Sequence, residues 1–139
     1  MTHLRYITAI ILIAMTAMIS CKNEINITPT EQAQKDLIDA LQGTWTAQEV
    51  RKENTVISDF ANFSLTINDK SYSTENGAPV WPNSGTFDFE NVETEDEFVR
   101  QDGRLFTASV NNGNLTITIV YQEETARGEY GTYEFLMSQ

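Results

Sequence analysis

The sequence predicts a mainly β protein: an antiparallel up-and-down barrel of about eight short strands, preceded by one N-terminal helix. Three observations carry that prediction. After Gly43, apolar residues recur at every second position in segment after segment, the period of a strand with one wet and one buried face. Turn pairs separate these segments at Asn68-Asp69, Asn76-Gly77, Asp102-Gly103 and Asn112-Gly113; the residues of such pairs accept positive φ, as tight hairpins require. One stretch before Gly43 repeats its apolar residues at helical spacing instead. A meander of short strands protects its edges by closing into a barrel or folding into a sandwich.

The helix is expected over 29–42. Thr28-Pro29-Thr30-Glu31 sets Thr at the N-cap, Pro at the first helical position and Glu at the third. In such a capping box the hydroxyl and the carboxylate each accept a backbone N–H that the helix leaves unpaired. Ala33, Leu37, Ile38, Ala40 and Leu41 then form one apolar stripe, and Gly43 supplies the stop. A single apolar face on a single helix must cover something, most simply one end or flank of the sheet.

Strands are expected at 44–51, 61–68, 70–75, 84–90, 96–101, 104–110, 114–122 and 129–137. The alternation is plainest in Phe63-Leu65-Ile67, in Phe87-Phe89 and in Leu115-Ile117-Ile119-Tyr121. Between them, Gly77-Ala-Pro-Val-Trp-Pro-Asn-Ser-Gly85 has two prolines that forbid an interior strand and hold Trp81 in an extended loop. That tryptophan is either a lid or partner contact, or it tucks back over the barrel mouth.

The first twenty-one residues speak to address. His3 and Arg5 precede an apolar run that ends in Ile19-Ser20-Cys21, the layout of a secretory signal and shorter than the ~20 residues that span a bilayer. Ser20-Cys21 resembles the lipobox of bacterial lipoproteins, and Cys21 is the one cysteine of the chain. The resemblance implies cleavage before Cys21, acylation of that residue and attachment to the membrane through its acyl chains. Residues 1–20 are then a signal peptide, 21–27 a lipidated tether and 28–139 the β domain. Lys22-Asn23-Glu24 resembles the Lys-plus-acidic export signals of some Gram-negative lipoproteins. The resemblance implies the outer face of the outer membrane; a solvated tether with no sorting role is the alternative, so the periplasmic or the cell-surface face stays open.

Charge excludes several partners. The chain has 9 Lys+Arg against 20 Asp+Glu; losing Arg5 with the signal leaves 8 against 20, a net of −12 on 119 residues. Nucleic acid requires the opposite sign. Anionic lipid headgroups repel such a domain too, so the acyl chains must provide the attachment. With Cys21 modified no disulfide is available, and stability rests on core packing.

Catalysis finds little support, and no enzyme is expected. The mature chain lacks histidine and a free thiol, hence the common general base and a cysteine nucleophile. Serines show no nucleophile-elbow spacing, and phosphate-binding glycine loops are absent. Glu93-Thr-Glu-Asp-Glu97 is the best place for a cation, but it lacks the alternating Asp/Asn and glycine of a calcium loop and reads as a solvated turn. No metal or cofactor is expected. Carboxylate pairs able to hydrolyse glycosides depend on three-dimensional separation and stay a distant third reading.

Leu41-Gln-Gly-Thr-Trp-Thr resembles the opening of lipocalin-like domains, where Gly-x-Trp starts the first strand after a short helix. Ala78-Pro-Val-Trp-Pro-Asn-Ser-Gly-Thr-Phe-Asp-Phe and Gly128-Glu-Tyr-Gly-Thr-Tyr-Glu-Phe resemble stretches of small lipocalin-like bacterial lipoproteins of unknown function. The likeness covers most of 37–137. It implies a barrel whose bottom is closed by Trp45, and Arg127 is the nearest match to the arginine that larger lipocalins pack over that tryptophan. A small hydrophobic ligand is the leading functional expectation, with Trp45, Trp81, Phe87, Phe89, Tyr121 and Tyr133 as its contacts. The aromatic side chains could equally fill the barrel, and strands this short favour filling. An envelope interaction or structural module with a packed barrel therefore follows closely.

Overall fold

The computed structural model describes residues 26–122 and 130–139. The signal and lipidation reading on Met1–Cys21, the export-signal reading on Lys22–Glu24 and the arginine at Arg127 lie outside the described residues. Helix α1 spans Pro29–Leu41, one residue shorter than expected. Its capping box forms as written: the Glu31 N–H donates to Thr28 Oγ1 at 3.2 Å, and the Thr28 N–H donates to Glu31 Oε2 at 2.7 Å. Ile38 and Leu41 are its buried residues.

Among the described residues nine strands follow: β1 Gly43–Lys52, β2 Thr55–Ile57, β3 Ser64–Asn68, β4 Ser71–Glu75, β5 Ser84–Phe89, β6 Glu97–Arg100, β7 Leu105–Asn111, β8 Asn114–Gln122 and β9 Tyr130–Ser138. From β3 to β9 each strand pairs antiparallel with the next, and β1 closes the ring by pairing with β3 and with β9. Eight strands make the barrel; β2 is an extra hairpin arm on the second half of β1. That arm departs from expectation, as does the start of β3, placed at 61 from the sequence and found at Ser64. The turn Glu53-Asn54 has positive φ at both residues (49° and 64°) without a glycine, so it lacked the usual hairpin signature.

β1 is long because it serves two neighbours. Gly43–Thr46 pairs with β3, Val50–Lys52 with β2, and the register against β9 slips between Ala47 and Glu49. An inserted residue bends a strand and turns the faces over. It brings Val50 inward after Trp45, which strict alternation from Trp45 would have turned outward.

The barrel's two ends differ. Turns β3–β4, β5–β6 and β7–β8 share one end with α1, where Asp69 N–H donates to Gln42 Oε1 (2.8 Å) and Gln34 Nε2 donates to the Thr94 carbonyl (2.6 Å). At the other end, the mouth, lie the β1–β2 hairpin, the 58–63 turn with Phe60 and Phe63 buried, the 76–83 loop and the β6–β7 turn. Alternating side chains from β3 to β9 fill the space between, with Leu115, Ile117, Ile119 and Phe135 almost wholly buried.

Candidate functional site at the barrel mouth

Trp81 sits in the barrel mouth at 2 % exposure, the tucked-in alternative of the two the sequence left open. One hydrogen bond closes its loop on itself and three hold the loop to β4 and β6. Trp81 N–H donates to the Gly77 carbonyl (2.8 Å), Thr74 N–H to that of Asn83 (2.8 Å), Thr74 Oγ1 to that of Pro82 (2.7 Å) and Arg100 Nη1 to that of Val80 (2.8 Å). Asn76-Gly77 therefore opens this loop rather than a tight hairpin. Gly77 is needed for close approach: a Cβ there would stand 2.7 Å from Trp81 Cβ and 2.8 Å from a Phe63 ring carbon.

Aromatic rings surround the indole. Phe63 stacks on it at 6.4 Å between centroids, while Tyr72, Phe106 and Phe135 meet it edge-on at 5.4, 5.5 and 6.4 Å. Such pairs add about 0.5–1.5 kcal/mol each beyond area burial. Above the ring lies the Arg100 guanidinium, its central carbon 4.9 Å from the ring centroid, close enough for a cation–π attraction.

Arg100 is the residue that sequence reasoning missed. Its side chain is 1 % exposed, yet it is paired: Nε and Nη2 donate to the two Asp102 oxygens at 3.1 and 2.6 Å. A planar guanidinium suits this fork, and a buried charge needs it. Partial burial pushes the Asp102 carboxyl up, but the hydrogen bond and charge of Arg100, with Arg104 assisting, outweigh it and hold the carboxyl below its ordinary range. The signal was present. Phe98 and Arg100 share the inward phase of β6, and Asp102 follows two residues later. Among the described residues the buried arginine is thus Arg100, which covers Trp81, with Trp45 at the opposite end.

Trp45 lies against the last turn of α1, its indole N–H donating to the Leu41 carbonyl at 2.8 Å. Phe89 is half-buried at that same end, tilted on Phe98 at 4.6 Å with Lys70 Nζ 5.9 Å above it. Tyr121 and Tyr133 flank the mouth, covered by Arg104 at 4.5 Å and Lys52 at 5.3 Å. The six residues named from the sequence are thus distributed over both ends instead of forming one pocket. Trp81 and Phe87 alone among them line the internal void.

That void measures about 10 Å³, enclosed between Leu41 of the helix and Trp81 of the loop. Sites for small molecules occupy roughly 300–1,000 Å³, and a single water needs about 10–15 Å³. The Tyr72 hydroxyl and the Trp81 indole N–H, both from residues that line it, have no hydrogen-bond partner among the described residues. Burial raises the Tyr72 pKa against the nearby Arg100 charge, which lowers it, with Asp102 adding to the rise. No three acidic, histidine or cysteine side chains among the described residues come together as a metal would require.

Fold and interior together define a class: a closed eight-stranded antiparallel up-and-down barrel, its centre packed by the described side chains, with Trp45 buried toward one end and Trp81 toward the other. Comparison with known proteins adds no family to that class, since no family model, curated protein or solved structure matches the chain.

Proposed function

We propose that this chain is a lipid-anchored protein of the bacterial cell envelope whose barrel is a non-catalytic interaction module, meeting partners with its outer surface. The packed interior carries the reading: among the described residues the void between Leu41 and Trp81 holds about 10 Å³, with Trp45 buried toward one end and Trp81 toward the other. The anchor rests on the sequence of Met1–Cys21, and the likeness to small lipocalin-like lipoproteins supports the same address. Carriage of a small hydrophobic ligand, ranked first from the sequence, keeps one foothold in the unpartnered Tyr72 and Trp81 groups beside the void. It also requires Trp81 to leave a mouth in which three hydrogen bonds, from Thr74 and Arg100, hold its loop to the barrel.

A native mass spectrum of the purified protein after exposure to envelope lipids and small metabolites separates the two. The module reading expects no saturable non-covalent adduct at any ligand concentration. A discrete adduct that disappears in Trp81→Ala sinks it and establishes a carrier. For the anchor, Cys21→Ala is expected to release a protein lacking the mass of its acyl chains; a membrane-bound product of unchanged mass would overturn the attachment.

A further inference from the structure

One stretch of the outer wall combines exposed apolar side chains with concentrated charge. Leu105 and Val120 are 54 % and 52 % exposed, and the register of β7 on β8, with Phe106 opposite Ile119, sets them side by side. With Thr107 and Thr118 they form a groove of about 240 Å³, and Glu90 and Glu97 stand on its rim. These two glutamates bracket the β5–β6 turn, which also bears Glu93, Glu95 and Asp96. None of the five carboxylates has an ion-pair partner among the described residues.

The acidic turn is fixed before any partner arrives. Gln34 Nε2 of α1 donates to the carbonyls of Asn91 (3.2 Å) and Thr94 (2.6 Å). Asn91 Oδ1 accepts from the N–H groups of Glu93 (2.8 Å) and Thr94 (3.0 Å), and Glu90 N–H donates to the Glu97 carbonyl at 2.9 Å. A held loop loses little conformational entropy on binding.

We infer that this groove docks a basic polypeptide segment, one that seats an apolar side chain between Leu105 and Val120 while its lysines or arginines meet the 90–97 carboxylates. The inference rests on the module reading and names its partner's chemistry. Size favours a side chain over a free small molecule, because the groove falls below the volume that drug-sized ligands fill. Charge selects the sign. A second copy of this acidic chain would set like charges against each other, a juxtaposition that costs affinity, and an anionic membrane would be repelled likewise.

The test uses the full chain in non-ionic detergent, read against empty micelles by fluorescence anisotropy. Three labelled peptides of equal length are the probes: alternating Lys and Leu, alternating Lys and Ser, and alternating Glu and Leu. Saturable binding of the Lys–Leu peptide is expected, about tenfold tighter than either other peptide. Two variants should each weaken it by a similar factor: Val120→Asn, which removes the apolar wall without adding charge, and the combined Glu93→Gln, Glu95→Gln, Asp96→Asn. Should Val120→Asn lose its cooperative thermal transition, Val120→Thr keeps a β-branched residue and replaces one methyl with a hydroxyl, and a measurable weakening is still expected. Equal binding of the Lys–Ser peptide, or indifference to the carboxylate variant, overturns the inference. So does a dimer of the protein alone that Val120→Asn abolishes, which would assign the groove to a second copy. A native-mass ligand adduct would instead strike the module reading itself.

Discussion

The two ends of this barrel are closed by opposite means. At the helix end the lid is local in sequence: α1 runs directly into β1, and Trp45 donates to the carbonyl of Leu41, four residues before it. The mouth is closed by distant parts of the chain, for Trp81 is gathered under Arg100 among Phe63, Tyr72, Phe106 and Phe135. A local lid is secured by capping and helix propensity, each worth a kcal/mol or so. A non-local plug depends on burial and shape, where one misplaced side chain costs several times more.

Removing the plug is the strongest way to break this contrast. Trp81→Ala is expected to cost about 3–5 kcal/mol, the usual range for emptying a buried aromatic site, read as a lower midpoint in urea unfolding. A loss under about 1 kcal/mol would mean that the loop contributes little to closure. Gly77→Ala attacks the same plug through its backbone. The new Cβ meets Trp81 Cβ and the Phe63 ring below 3 Å, so about 1–3 kcal/mol of overpacking is expected, with the tryptophan emission maximum shifting to the red as the indole is displaced.

Thr28→Ala probes the local lid and should cost about 1 kcal/mol. Near-ultraviolet dichroism from the cage around Trp81 should stay unchanged, because the cap lies at the far end. A changed aromatic signal would show that the two ends are coupled.

Acidification sharpens the contrast further. Asp102 has a depressed carboxyl pKa in the folded protein, so its contribution is present in full above the unfolded value of about 3.9 and fades as pH falls through the folded one. Asp102 is 37 % exposed, and solvent screening keeps this term to about 1 kcal/mol or less. Asp102→Asn should therefore flatten the stability profile below about pH 4. An unchanged profile would assign acid sensitivity to other carboxylates.

Residues that act on near neighbours were legible. The capping box at Thr28 and Glu31, the alternation of β8, and the turns at Gly103 and Gly113 are relations over two to four positions, and the chain carries them openly. The 55–57 arm escaped because its turn takes positive φ at Glu53 and Asn54 without glycine. Arg100 escaped for a different reason. A charged residue in the inward phase of a strand reads as a phase error until its partner Asp102 and the carbonyl of Val80 are seen beside it.

By itself the sequence determined the strand period, the helix and its cap, the antiparallel meander and the acidity of the turn at 93–97. All of these follow from local backbone sterics and from which side chains prefer water. Tertiary structure alone decided that the described side chains pack the interior, that Trp81 turns inward to plug it, that Arg100 is the charge buried above that ring, and that Leu105 and Val120 lie together beside carboxylates with no ion-pair partner among the described residues. Interior volume is a small difference between the space strands enclose and the side chains they send into it. Closure in three dimensions fixes that difference.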